Sequence, residues 1–119
     1  MPEPVNETGV VRAIVKQVKK RWPRAWTLKV HGGMMQESGV PDLVMCIEGR
    51  FIGLEVKHQK PGESAAHAYQ RTSASQRKQI DEIKLAGGLS DTVLSADEAV
   101  ELIETHLEEL SERDSTEIQ

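Results

Sequence analysis

The sequence predicts an α/β fold, a mixed central sheet flanked by helices in the order αβββαβα. Three features carry that prediction: apolar residues at helical spacing near both ends, two β-rich runs joined by a short glycine-containing turn in the middle, and a capped helix leading into a short strand. Strands interleaved with helices bury their apolar faces best as a helix-covered sheet. A chain of 119 residues holds one ordinary core. It reads as a single domain over residues 1–110, with a flexible acidic tail over 111–119.

Val11, Ile14, Val15, Val18 and Trp22 recur at helical spacing, so the first helix runs from about residue 5 until Pro23 ends it. Glu7 falls on the same stripe, one turn before Val11, which aims its carboxylate inward; an acid in a first turn also serves the helix dipole. Trp26 to His31 reads as a strand and Gly32 to Pro41 as a loop. Asp42 to Ile47 and Phe51 to Lys57 form a hairpin around Gly49. His58 to Ala74 has little periodicity and reads as a long irregular loop. Ser73-x-x-Gln76 matches a capping box and opens a helix with Ile80 and Ile83 inward, stopped by Gly87-Gly88. Thr92 to Leu94 is a short strand. Ser95-x-x-Glu98 opens the last helix, with Val100, Ile103, Leu107 and Leu110 on one face.

Composition narrows the class. Charged residues make up 29% and aromatic residues only 3%, so the core is aliphatic. No apolar run is long enough to span a bilayer, and the first residues lack the apolar centre of a signal peptide. A cytoplasmic protein is expected. Cys46 has no partner for a disulfide within the chain, and no Cys/His cluster has zinc-ligand spacing. The net charge of -4 hides an asymmetry: residues 1–88 carry 14 Lys/Arg against 9 Asp/Glu, whereas residues 89–119 carry one Arg against 10. The part that holds the hairpin is therefore basic, and a nucleic-acid partner stays open.

The hairpin register carries the chemistry. If Glu48 and Gly49 form a two-residue turn, Ile47 pairs with Arg50, Asp42 lies opposite Glu55, and Lys57 shares their face. The other face then collects Leu43, Met45, Ile52, Leu54 and Val56 as core. Facing carboxylates repel unless a cation lies between them. Magnesium takes carboxylate oxygens plus waters and stabilises charge on phosphate oxygens, while a lysine beside it can orient water or hold a phosphate. Each piece also has a plainer reading. Asp42 after Pro41 is a common turn residue, Glu55 with Lys57 is a common strand ion pair, and Gln76 caps its helix.

Gly39-Val-Pro-Asp42, followed by Glu55-Val-Lys57 after a short hairpin and then by a helix bearing Gln76, resembles the PD-(D/E)xK nucleases. The spacing and the upstream Glu7 look most like the VRR-NUC branch, over roughly residues 5–95. The resemblance implies a restriction-endonuclease-like fold related to Holliday junction resolvases, a Mg2+ or Mn2+ requirement, and structure-selective cleavage of branched DNA. It implies Asp42 and Glu55 as metal ligands with the Val56 carbonyl, Lys57 as the catalytic lysine, Glu7 as a metal-side carboxylate and Gln76 as support for the site. The partner it implies is DNA, with no membrane and no small-molecule substrate, and the active form is a homodimer. Met34, Met35, Val40 and Tyr69 are candidate interface residues.

Two basic strips are candidates for DNA phosphates. Arg12, Lys16, Lys19 and Lys20 lie close to one side of the first helix, and Lys60, Arg71, Arg77 and Lys78 surround the long loop. Each strip also reads as a solvated face. The rival to catalysis is a non-catalytic DNA-binding module on the same fold, which has no need of paired carboxylates facing phosphate.

Overall fold

Local signals start and stop the elements of the computed structural model, which describes residues 4–31 and 37–118. Asn6 accepts from the Gly9 amide at 2.8 Å and opens helix α1 (Glu7–Arg21), whose Val10, Val11, Ile14 and Val18 are buried. Trp22 closes the helix just before Pro23, which cannot extend it. Strand β1 (Trp26–Lys29) follows, then β2 (Leu43–Ile47) and β3 (Arg50–Val56). Between β2 and β3, Glu48 and Gly49 both take positive φ, 51° and 78°. This two-residue turn matches the twist of the flanking strands. It sets Ile47 opposite Arg50 and Leu43 opposite Leu54, the register the sequence predicts.

After β3 the chain forms a short helix α2 (Ala65–Gln70), then α3 (Ala74–Leu85), β4 (Leu89–Val93) and α4 (Ala96–Ile118). The sheet order is β1-β2-β3-β4, antiparallel except for the parallel β3/β4 pair. Leu43, Met45, Ile47, Ile52, Leu54 and Val56 point to one face and pack with α1 and with Ala99 and Ile103 of α4 in the core. The other face lies toward α3. A Cβ on Gly53 would meet Ile83 at 3.2 Å and Pro41 at 3.0 Å.

Two expectations need correction. Residues 58–74 are not irregular throughout: Ser64 caps α2 by accepting from the His67 amide, and the alanines at 65, 66 and 68 favour the helix. The element order is αβββααβα. Six residues are too few to show a periodicity. Helix α4 also continues through residues 111–118, where the sequence predicts a flexible tail. Each added turn of an existing helix adds hydrogen bonds without a new nucleus, and Arg50 meets Asp114 at 3.1 Å.

Tyr69 lies on α2, half-buried, and donates its hydroxyl to Glu98 of α4. Met34 and Met35 lie outside the described residues, as does Gly32-Gly33. Among the described residues, no helix is long and apolar enough to cross a membrane.

Candidate active site

Asp42 stands one residue before β2 and continues the sheet in two directions. Its carbonyl accepts from the Val30 amide at 2.8 Å, and its Oδ2 accepts from the Val56 amide at 2.9 Å. One step beyond the Leu43–Leu54 pair, Asp42 faces Glu55. Glu55 is 2% exposed and pairs in register with Thr92 of β4. Its Oε1 accepts from Gln76 Nε2 at 2.6 Å and lies 3.7 Å from Lys57 Nζ. Its Oε2 is buried with no hydrogen-bond donor.

Burial first, and then the neighbouring Asp42, push the Glu55 carboxyl up to about 8, against the pull of Lys57. Two ionised carboxylates offer each other only lone pairs. The same donor set fits a hard divalent cation. Magnesium takes one or two carboxylates and keeps several waters, and a cation would satisfy the orphaned Oε2. Among the described residues no group of three or more His, Cys, Asp or Glu could hold a metal, so the larger ligand set of a structural zinc site is not assembled.

Gln76 uses both ends of its side-chain amide. Its Oε1 accepts from the Ser73 amide at 2.8 Å, completing the capping box, while its Nε2 reaches Glu55. An amide has an acceptor end and a donor end, so capping and support do not compete. Glu7 departs from expectation. It is the first residue of α1, its side chain is 50% exposed, and its Oε1 lies 3.8 Å from Arg71 Nη1. The arginine draws the carboxylate to the rim, although Glu7 still adds slightly to the raised pKa of Glu55. The Val56 side chain is in the core while its amide anchors Asp42.

Glu63 is a residue that sequence reasoning missed. Its carboxylate is 7% exposed and receives both Nε and Nη2 of Arg71 at 3.0 Å, the Lys60 amide at 2.9 Å and His67 Nδ1 at 2.6 Å. Arg71 above all holds its pKa down to about 2. The four-residue steps Glu63, His67, Arg71 would have marked the cluster had the segment read as a helix.

The basic residues divide between two layers. Arg12, Lys16, Lys19 and Lys20 are exposed on α1, which covers the sheet face opposite Glu55 and Lys57. Arg77 and Lys78 are exposed on α3, directly after Gln76, and Lys60 is exposed on the loop after β3. Arg71 is engaged within the chain.

No protein-family model matches the chain, and no curated protein matches it. Among solved structures, one described as "VRR_NUC domain" superposes with a TM-score of 0.54, covering 80% of this chain and 94% of that one at 22% identity. The fold is that of a VRR_NUC domain. In this chain the VRR_NUC fold brings Asp42, Glu55, Lys57 and Gln76 together from the β2/β3 hairpin and the start of α3.

Proposed function

We propose that the chain is a metal-dependent nuclease that hydrolyses DNA phosphodiester bonds with Mg2+ or Mn2+, preferring branched or junction DNA, and that it acts as a homodimer. One observation supports this reading above the others: two carboxyl groups and a lysine converge at a sheet position where Glu55 is buried with an unsatisfied oxygen. A buried, poorly satisfied carboxyl costs stability and is kept where its charge has work to do.

Asp42 and Glu55, with the Val56 carbonyl, are the groups to hold the cation. When bound, it supplies positive charge for the phosphate oxygens and lowers the pKa of a water. Gln76 fixes the orientation of the Glu55 carboxyl, and the Val56 amide fixes that of Asp42. Lys57, 12% exposed and tethered by Glu55, positions or deprotonates the attacking water or contacts the phosphate. The substrate class and the dimer follow from the resemblance in sequence.

The test is purified protein with Mg2+ or Mn2+ on single-stranded, duplex, flap and four-way junction DNA. Asp42→Asn and Lys57→Ala are expected to lower cleavage by about 10²–10⁴-fold with an unchanged circular dichroism spectrum. Cleavage that survives both changes sinks the assignment. Light scattering at micromolar protein gives the oligomeric state.

The placement of the cations separates the two basic strips. Reversing Arg77 and Lys78 to Glu is expected to weaken binding to all DNA sequences alike and to flatten its salt dependence, more than reversing Lys19 and Lys20 does. Fluorescence anisotropy across a salt series reads both quantities. The opposite ranking assigns the DNA track to α1.

A further inference from the structure

The two edges of the sheet are finished differently. Strand β4 packs against α3 and α4 and is buried at every residue but Asp91, whereas β1 is exposed at every residue but Thr27. Trp26 and Leu28 are 52% and 49% exposed. The chain holds only two Trp, one Tyr and one Phe, yet Trp26 and Phe51 both stand exposed on the sheet face away from α1. Register sets Trp26, Cys46 and Phe51 in one row across three strands, with Leu28 and Val44 in the next row on that face.

The backbone of β1 has a matching phase. Val30 donates to Asp42, which stands opposite it, and such bonded positions alternate along an antiparallel pair. Trp26, Leu28 and Val30 therefore bond inward to β2, and Thr27 turns its amide and carbonyl to the open edge. Sheet edges are commonly blocked by proline, by bulges or by charge. Strand β1 contains no proline, runs in unbroken register with β2, and carries its one charge, Lys29, at its last residue.

We propose that β1 is an interface for a second copy of this chain, the two β1 strands pairing antiparallel about a two-fold axis through Thr27. Side chains of one face must meet those of the same face, so Trp26 lies opposite Leu28 of the partner subunit on both sides of the axis. The two Thr27 residues exchange two backbone hydrogen bonds. The alternative bonded phase, through Lys29, sets two ammonium groups directly opposite each other and is unfavourable. Bonding phase, apolar pairs and charge thus make β1 complementary to its own two-fold image. The proposal rests on the homodimer of the functional reading and gives that dimer a surface. Both carboxyl pairs then lie on the same side of one continuous sheet, roughly 30 Å apart by strand spacing and rise. Four residues a side fall below the roughly 800 Å² per partner of a standard interface, so dissociation in the micromolar range is expected.

Sedimentation of the full chain across the micromolar range tests the proposal, and wild type is expected to pass from monomer to dimer. Thr27→Pro removes the outward amide without touching the ladder to β2, a place where an edge strand tolerates proline. With two hydrogen bonds lost, it is expected to weaken the dimer about tenfold or more. Leu28→Lys sets an ammonium against Trp26 of the partner subunit and is the second variant, should Thr27→Pro not fold. Leu85→Ala, at an 89% exposed leucine outside the strip, is expected to change nothing. In a Cys46→Ser background, Thr27→Cys is expected to give a disulfide-linked dimer with oxidised glutathione, because the Cα atoms of a bonded pair lie about 5.5 Å apart. A wild-type dimer that survives Thr27→Pro and Leu28→Lys overturns the β1 interface and leaves the homodimer standing. A wild-type chain that stays monomeric overturns both, while Mg2+-dependent cleavage by the same sample decides the nuclease reading separately. Equal weakening by Leu85→Ala also overturns the proposal, since association then follows exposed apolar area alone.

Discussion

Glu55→Gln is expected to abolish metal-dependent cleavage, by about 10³-fold or more, while making the metal-free protein more stable at pH 8 than the wild type. Both effects follow from one carboxyl. In the folded protein Glu55 keeps its proton up to about pH 8, whereas its ordinary value is 4.5. Between those limits the folded state holds a proton that the unfolded chain releases. The stability that Glu55 contributes is therefore fully present below pH 4.5 and is lost as the pH rises through 8. A glutamine is neutral at every pH and removes that slope. Thermal melts of metal-free wild type and Glu55→Gln from pH 5 to 9 measure it, and parallel curves would show that Glu55 is ionised throughout.

The cation enters the same balance. Because it displaces the proton held by Glu55, Mn2+ is expected to raise the wild-type Tm more at pH 8 than at pH 6. The Glu55→Gln protein is expected to show little of this rise at either pH. A Mn2+ effect that ignores both pH and the substitution would place the ion elsewhere on the molecule.

Gly39→Ala is the second large effect, and it acts from outside the reacting groups. Gly39 has φ +83°, and a Cβ there would lie 2.7 Å from the Gln76 amide nitrogen and closer still to the Ser75 carbonyl. Backbone cannot move aside as a side-chain tip can. The start of α3 must shift, and Gln76 shifts with it, away from Glu55 and from the cap on Ser73. Left-handed strain and overpacking together cost about 2–4 kcal/mol, a fall in Tm on the order of 10 °C, and cleavage per folded molecule is expected to drop sharply. Gly49→Ala is the control. Gly49 also has positive φ, at 78°, but a Cβ there meets nothing within 4 Å, so only the turn strain remains. Equal losses at the two positions would mean that φ alone matters and that Gly39 does not set the position of α3.

These effects differ in how far they could be seen in advance. The Asp42/Glu55/Lys57 face follows from alternation along a strand and from the two-residue turn at Glu48-Gly49, both of which are short-range properties of the chain. The cap formed by Ser73 and Gln76 is equally local. The close approach of Gly39 to α3 is not, because it depends on where two segments 36 positions apart come to rest.

What the sequence by itself determined was therefore periodic: the stripe Val11, Ile14, Val18 on α1, the register of the hairpin, the capped start of α3 and the inner face of α4. What only the tertiary structure decided were meetings between elements. Gln76 reaches across to Glu55 while capping its own helix, Glu7 turns to Arg71 at the rim, and Glu63 collects Arg71, His67 and the Lys60 amide. The basic face of α1 and the carboxyl pair fall on opposite sides of the sheet, although nothing in the spacing of the lysines says so. A period records which way a residue points from its own backbone. Which side chain stands at the other end is set by the packing of layers, and that is a property of the whole core.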